Sequence, residues 1–214
     1  MVRNPLVPNL AEPVMLDAAL LEIQMHLLAG LDWLNNAFGK IERREKNART
    51  FPAVFVGGGG NGEDYINLMP DSHLGNYSFF DIEDGEDVNK FSKRSGEMEA
   101  KFNLVFWFDY KKVYPIDYEL KSIENVKRDI LAVFGGTGMR NSTVRIEKFY
   151  QKKENVFRGF NMDGIKELNA KRPYGMLRMS GEIKYFESSR CDFKELVGRL
   201  GINYTEIEID FIVK

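Results

Sequence analysis

The sequence predicts an α+β fold in which a mostly antiparallel sheet has a long N-terminal helix and one or two further helices packed on one face. The chain opens with apolar residues every three or four positions, which is typical of a helix. Several later segments alternate apolar and polar residues, and none is the continuous apolar run typical of parallel strands buried on both faces. Helices interspersed among one-sided strands indicate an α+β layer architecture.

The first helix is predicted over residues 15–46. The segment places apolar residues at steps of three and four throughout its length, at Leu16, Leu20, Ile23, Leu27, Leu31, Leu34, Phe38 and Ile41. Such spacing forms one face of a helix, and Gly30 and Gly39 are positions where so long a helix could bend or end. The proline-containing residues 1–13 are expected to form an extended lead.

The middle of the chain is predicted to form strands, because its apolar residues recur at every second position. Short strands are expected at residues 51–56 and 65–69, joined by the glycine-rich loop 57–62, and at 77–82. The longest strand is expected over 98–113, with one face facing the core through Phe102, Leu104, Phe106, Phe108 and Tyr110. The charged residues 82–97 are expected to form an exposed loop.

The second half of the chain predicts alternating helices and strands. Ser122 can cap a helix that runs to Phe134 and stops at the glycine pair that follows. Alternation predicts strands at 143–150 and 176–186, and a short helix is expected at 161–170. Asp192 can cap a last helix that Gly201 ends, before a closing strand over 203–213. All 214 residues are expected to form a single domain.

Composition excludes several classes of protein. With 43% hydrophobic residues and a net charge of −2, the chain can bury a core, so a disordered or fibrous protein is excluded. It has no overall excess of basic residues of the kind that binds duplex DNA and no apolar run of the roughly 20 residues that span a membrane. Pro5 and Pro8 interrupt any signal peptide, so we expect the chain to stay in the cytoplasm where it is made. The single cysteine, Cys191, cannot form an internal disulfide.

The motifs that carry chemistry in other proteins have the wrong context here. The glycine loop 57–62 is followed by Glu63 and Asp64 rather than by the lysine and hydroxyl of a phosphate-binding loop. His26 and His73 are far apart, with no metal ligands at a suitable spacing. We therefore expect no enzyme activity, no cofactor and no metal site.

The acidic run at residues 81–87 does not have the spacing of a calcium loop. Such a loop needs an oxygen donor at its fifth position, where this run has Gly85. A solvated acidic segment is the favoured interpretation. Two alternatives stay open, namely weak cation binding and a metal-dependent hydrolase that uses these carboxylates.

A candidate subunit or partner interface is expected where aromatic and charged residues stand together. The outer face of the long strand includes Trp107. Phe79 and Phe80 are adjacent in a predicted strand, so at least one of their rings must point away from the core. Either these rings are exposed for protein contacts or another element covers them. The candidate residues are Phe79, Phe80, Asp81, Glu83, Asp84, Glu86, Asp87, Lys93, Arg94 and Trp107.

The order of elements resembles that of a known group of proteins. A long N-terminal helix, the strand at 51–56, the aromatic strand at 101–110 (KFNLVFWFDY), the helix at 125–134 and later strands of alternating charge follow one another. This order resembles the small α+β proteins that form the neck and tail-completion rings of tailed bacteriophages, the tail-terminator type in particular. The chain departs from the compact members in its length, with residues 81–96 and 155–173 as apparent insertions.

The resemblance implies a structural virion protein, present in the host cytoplasm before assembly. It would form a cyclic homo-oligomer at the portal-to-tail junction, contact other neck, portal or tail proteins, and surround DNA without reading its sequence. Glu206, Glu208 and Asp210 could then line the lumen, while basic residues at 43–46, 93–94 and 111–112 could bind acidic loops of a neighbour. A monomeric adaptor that binds one partner protein is the remaining alternative.

Overall fold

The computed structural model describes residues 13–56, 65–91, 95–135, 139, 142–162 and 171–188. Four helices are described: α1 (Met15–Gly30), α2 (Tyr110–Val113), α3 (Ile123–Gly135) and α4 (Lys153–Val156). The described strands are β1 (Asn36–Lys40), β2 (Glu42–Lys46), β3 (Arg49–Phe55), β4 (Tyr65–Asn67), β5 (Tyr77–Phe91), β6 (Ser95–Asp109), β7 (Ser142–Tyr150) and β8 (Tyr174–Ser188). Two 3-10 turns lie at Ser72–Leu74 and Tyr118–Leu120.

The strands form two sheets, and the predicted α+β fold is confirmed. The larger sheet has five strands in the order β1-β5-β6-β8-β7, and all its neighbours are antiparallel except β1 and β5. The smaller sheet is antiparallel, in the order β2-β3-β4. None of the described helices is both long enough and apolar enough to span a membrane.

Helices α1 and α3 cover one face of the five-stranded sheet. Phe102, Leu104 and Phe106 of β6 are buried there, as the alternation predicts. They pack with Ile23 of α1 and Ile130 of α3, both 0% exposed. This cluster is the larger hydrophobic core and forms the helix-covered face that the sequence predicts.

The opposite face is also covered, which the sequence left open. Val105 and Trp107 of β6 and Phe79 of β5 are buried against Val54 of the three-stranded sheet and Phe157, just after α4. Much of the cover is therefore a second sheet rather than a helix. An exposed role for Phe79 and Trp107 is wrong for this reason, and so is one for Phe80, which is buried on the helical face.

The long first helix is also a correction, because α1 ends at Gly30 instead of residue 46. Gly30 lies against α3, where an added Cβ would stand 2.6 Å from Val133. The chain then turns, and β1 pairs in parallel with β5. Leu31, Leu34, Phe38 and Ile41 are all buried. Their spacing reflects burial on both sides of β1 and its flanking turns and not one face of a helix.

Residues 82–91 and 95–97 belong to strands, which corrects a third prediction, that of an exposed loop over 82–97. Strands β5 and β6 each have 15 residues and continue as a hairpin through most of this segment. The register shifts between Ile82 and Glu86, where Gly85 has a φ of +98°. A run of charged residues is typical of a loop, but here the charged side chains lie on a strand that is exposed to solvent.

Helix α3 and the last two described strands follow the sequence closely. The Glu124 N–H donates to Ser122 Oγ at 3.3 Å, so the predicted cap is confirmed. Strands β7 and β8 contain the predicted strands at 143–150 and 176–186. The predicted helix and strand after Asp192, and most of the helix at 161–170, lie outside the described residues, as do the glycine loop 57–62 and nearly all of the N-terminal lead.

Candidate interaction surface

A polar row crosses the five-stranded sheet where the buried part of its second face ends. Asp81, Asn103, Ser180 and Lys148 are aligned on four neighbouring strands, from β5 to β7. The preceding row consists of Phe79, Val105, Arg178 and Tyr150 and belongs largely to the core. The polar row therefore separates the sheet-covered core from a charged sheet face.

Asp81 connects the two sheets through an ion pair. Its carboxylate lies 2.8 Å from the Arg43 guanidinium of β2, and Asp81 is only 7% exposed. Arg43 also lies over the Phe160 ring, 5.0 Å from its centroid. Burial raises the pKa of Asp81, and the nearby Arg43 and Arg178 charges offset part of that rise. Both members of the pair, which the sequence offered as contacts for a neighbour, are engaged within one chain.

Arg178 is a second cation beside Asp81. It is 7% exposed, and its guanidinium lies 4.3 Å from the Tyr150 ring centroid. Its Nε is buried and has no hydrogen-bond partner among the described residues. The Tyr150 ring and the Asp81 charge compensate this buried cation in part.

Beyond the polar row, cross-strand ion pairs cover the sheet face. Lys184 of β8 lies 3.1 Å from Glu99 of β6, and Arg145 of β7 lies 2.5 Å from Glu182 of β8. Lysine and arginine in these pairs are about half exposed, so each pair contributes no more than about 1 kcal/mol to stability. The pattern is typical of a solvated sheet face.

The outer edge of β5 forms the first exposed surface. Strand β1 pairs with β5 only as far as Phe80. After that point the edge exposes Glu83, Asp84 and Asp87, for which no cation partner lies among the described residues, and Val88, which is 61% exposed. Residues 83–88 are called the acidic arm below. Within it, Glu86 accepts a hydrogen bond from the Tyr185 hydroxyl.

The second exposed surface follows β6 at its other end. Ile116 is 99% exposed and Leu120 is 86% exposed, beside the exposed Lys111 and Lys112 of α2. These four residues are called the Ile116 patch below. The loop that holds them is braced by Arg172, which donates to the carbonyls of residues 118, 119 and 121. Ile116 and Leu120 are thus exposed on an ordered segment.

The structure separates the sequence-predicted interface residues into three groups. Phe79, Phe80 and Trp107 are core residues, and Asp81 is buried against Arg43. Glu83, Asp84, Glu86 and Asp87 are exposed on the acidic arm, and their role in an interface stays a prediction. The remaining residues lie outside the described part of the chain: Lys93, Arg94, Glu206, Glu208 and Asp210. Sequence reasoning missed Ile116 and Leu120, whose only signal is two large aliphatic residues in a polar, proline-containing loop.

The described carboxylates do not converge on a metal-binding geometry. Within the described ranges, no group of three or more His, Cys, Asp or Glu side chains could hold a metal ion. His26 lies in α1. His73 lies in a turn, where its backbone N–H donates to Asp71 Oδ1 at 3.0 Å. The absence of enzyme activity stays a prediction, while the arm and the patch are surfaces suited to protein contacts.

In comparisons with known proteins, the chain matches no protein-family model, and no curated protein is significantly similar to it in sequence.

Proposed function

We propose that this protein is a structural virion component that forms a closed ring at the portal-to-tail junction of a tailed bacteriophage. The ring would connect head and tail around the DNA channel and contact other neck, portal or tail proteins. DNA would pass through the lumen without sequence-specific binding.

The main support is the position of two unlike exposed surfaces at opposite ends of β6. The acidic arm is paired with the first half of that strand, and the Ile116 patch follows its last residue, Asp109. A ring is built from head-to-tail contacts between two different patches on each copy. A subunit with unlike ends has the surfaces that such an assembly needs.

The resemblance in element order adds to this support. The α+β architecture, with its N-terminal helix and mostly antiparallel sheet, is the kind of fold that the resemblance implies. The departures are the shorter first helix and the long β5–β6 hairpin in place of a loop. Both concern details of the subunit and leave the proposed role unchanged.

Light scattering over a concentration series, combined with electron microscopy of any large species, tests the proposal. We expect closed rings of one fixed copy number with a central channel. A mass that stays monomeric at every concentration and salt level would contradict the ring. If that monomer then formed a defined one-to-one complex with another protein, the adaptor interpretation would replace it.

A further inference from the structure

The acidic arm and the Ile116 patch cannot reach each other within one copy. Asp87 of the arm pairs with Glu99 on β6, and Asp109 ends that strand ten residues later. Ten strand residues extend over about 30 Å. The two surfaces can therefore meet only between two molecules.

The two surfaces are opposite in charge. The arm exposes Glu83, Asp84 and Asp87 along an edge that has no strand partner beyond Phe80 among the described residues. The patch exposes Lys111 and Lys112 at the first turn after β6, while the neighbouring acidic residues are engaged locally, Asp117 with Lys121 and Glu119 with the Tyr118 hydroxyl. Surfaces of opposite charge attract each other at long range and favour one orientation of docking.

Both surfaces also expose apolar side chains. Val88 is 61% exposed on the arm, while Ile116 and Leu120 are almost fully exposed on the patch. Large aliphatic side chains so exposed on a braced loop are typical of a surface that a partner protein covers. Burial of these side chains would supply affinity, and the charges would supply specificity.

We infer that the acidic arm of one copy binds the Ile116 patch of a second copy. The inference rests on the proposed function and names the two surfaces that meet at each contact of the ring. A second copy is favoured over another occupant because every copy offers both complementary surfaces. Duplex DNA could contact Lys111 and Lys112 but would be repelled by the arm. One such contact repeated head to tail closes a ring when the rotation allows it.

Charge reversal on each side, followed by mixing, tests the contact. One variant reverses the arm with Glu83→Lys, Asp84→Lys and Asp87→Lys, and the other reverses the patch with Lys111→Glu and Lys112→Glu. Either variant alone then has two surfaces of like charge. We expect the concentration needed for self-association to rise at least about tenfold for each.

An equimolar mixture of the two variants should associate again. The reversed arm of one then meets the reversed patch of the other, and the two unchanged surfaces also match. A ring in which the two variants alternate can close only with an even number of copies. The readout is therefore association itself, measured by analytical ultracentrifugation, and not ring closure. Circular dichroism and thermal melting verify that both variants are folded.

Two further variants locate the contact. Lys152→Glu with Arg158→Glu changes the charge beside α4 by the same amount as the patch variant, on exposed residues, and should leave association unchanged. Ile116→Ser with Leu120→Ser should weaken association at high salt as well as low salt, since it removes apolar contact rather than charge.

The outcomes separate this inference from the proposed function. Loss of association in each variant and its return on mixing support the arm-to-patch contact. If both charge-reversed variants still form the same rings as the wild type, the arm-to-patch contact is overturned and the proposed ring function is not. Loss without recovery in the mixture of two folded variants also overturns it. A wild-type chain that never associates overturns both.

Discussion

Arg43 of β2 lies 2.8 Å from the buried Asp81 carboxylate of β5 and joins the small sheet to the large one. The two members of this pair differ in environment. Asp81 is 7% exposed, whereas half of the Arg43 side chain is open to solvent. Loss of Arg43 should therefore leave Asp81 as a buried charge that only the nearby Arg178 compensates.

We predict that Arg43→Ala destabilises the fold more in the wild type than in an Asp81→Asn background at neutral pH. In the wild type the alanine substitution leaves a buried carboxylate with less compensation, at a cost of about 1 to 3 kcal/mol. In the Asp81→Asn background no carboxylate remains at this position, so the same substitution should change the free energy of unfolding by less than about 1 kcal/mol. Urea unfolding measures both, and an equal or reversed order would contradict this account of the pair.

Asp81 should also make stability depend on pH. Because burial raises its pKa in the folded chain above its value in the unfolded chain, the folded state binds more protons between those two values. Acidification through that interval therefore stabilises the wild type relative to Asp81→Asn, and the gain disappears as pH rises through the folded-state pKa. Urea unfolding of both proteins at neutral and mildly acidic pH measures this difference. Glu83→Gln, at an exposed carboxylate on the same strand, is the matched control for loss of a charge.

The covered second face of the sheet predicts that Trp107→Ala is as damaging as Phe106→Ala. Trp107 is 1% exposed and Phe106 is 0% exposed, on opposite faces of β6. Each substitution should cost about 3 to 5 kcal/mol, as expected for a buried aromatic residue. Phe55→Ala, at a ring that is 48% exposed, should cost much less. A Trp107→Ala protein that unfolds like the wild type would show that this face is not packed.

The turn between β2 and β3 predicts a stabilising substitution. Asn47 and Ala48 both have positive φ, 53° and 58°, as in a type I′ hairpin turn. Asparagine tolerates this conformation, but alanine is strained there by about 1 kcal/mol or more. Ala48→Gly should therefore raise stability by about 1 kcal/mol in thermal unfolding, whereas Ala48→Val should lower it. A glycine variant of lower stability would rule out this turn geometry.

The close contact at Gly181 predicts that even one added methyl group there destabilises the fold strongly. A Cβ at this position of β8 would overlap the backbone carbonyl of Arg145 on β7, which no rotamer change can relieve. We expect Gly181→Ala to destabilise the fold by at least about 2 kcal/mol, since β7 must shift. Gly135→Ala at the end of α3 meets nothing within 4 Å and is the control, with no loss expected in thermal unfolding. Equal stability of the two variants would contradict the close approach of β7 and β8.

The candidate surface could be predicted only in part. The exposure of Glu83, Asp84 and Asp87 followed from their charge, because isolated carboxylates are costly to bury. Ile116 and Leu120 could not be found in this way, since an aliphatic side chain in a loop is as compatible with burial as with exposure. The loop that exposes them is held by hydrogen bonds from Arg172, a residue about fifty positions away in sequence.

The fold class, helix α3 with its Ser122 cap, and the core-facing side of β6 and β8 are all predictable from the amino-acid sequence. These features depend on local signals, namely alternation along one strand and a cap within one turn. Three features emerge only in the folded chain: residues 31–46 leave the helix, Trp107 lies under a second sheet, and the acidic run extends β5. Each of them depends on pairing or covering partners that come from distant parts of the chain. A segment that is buried on both sides has apolar residues whose spacing matches neither the helical nor the strand period.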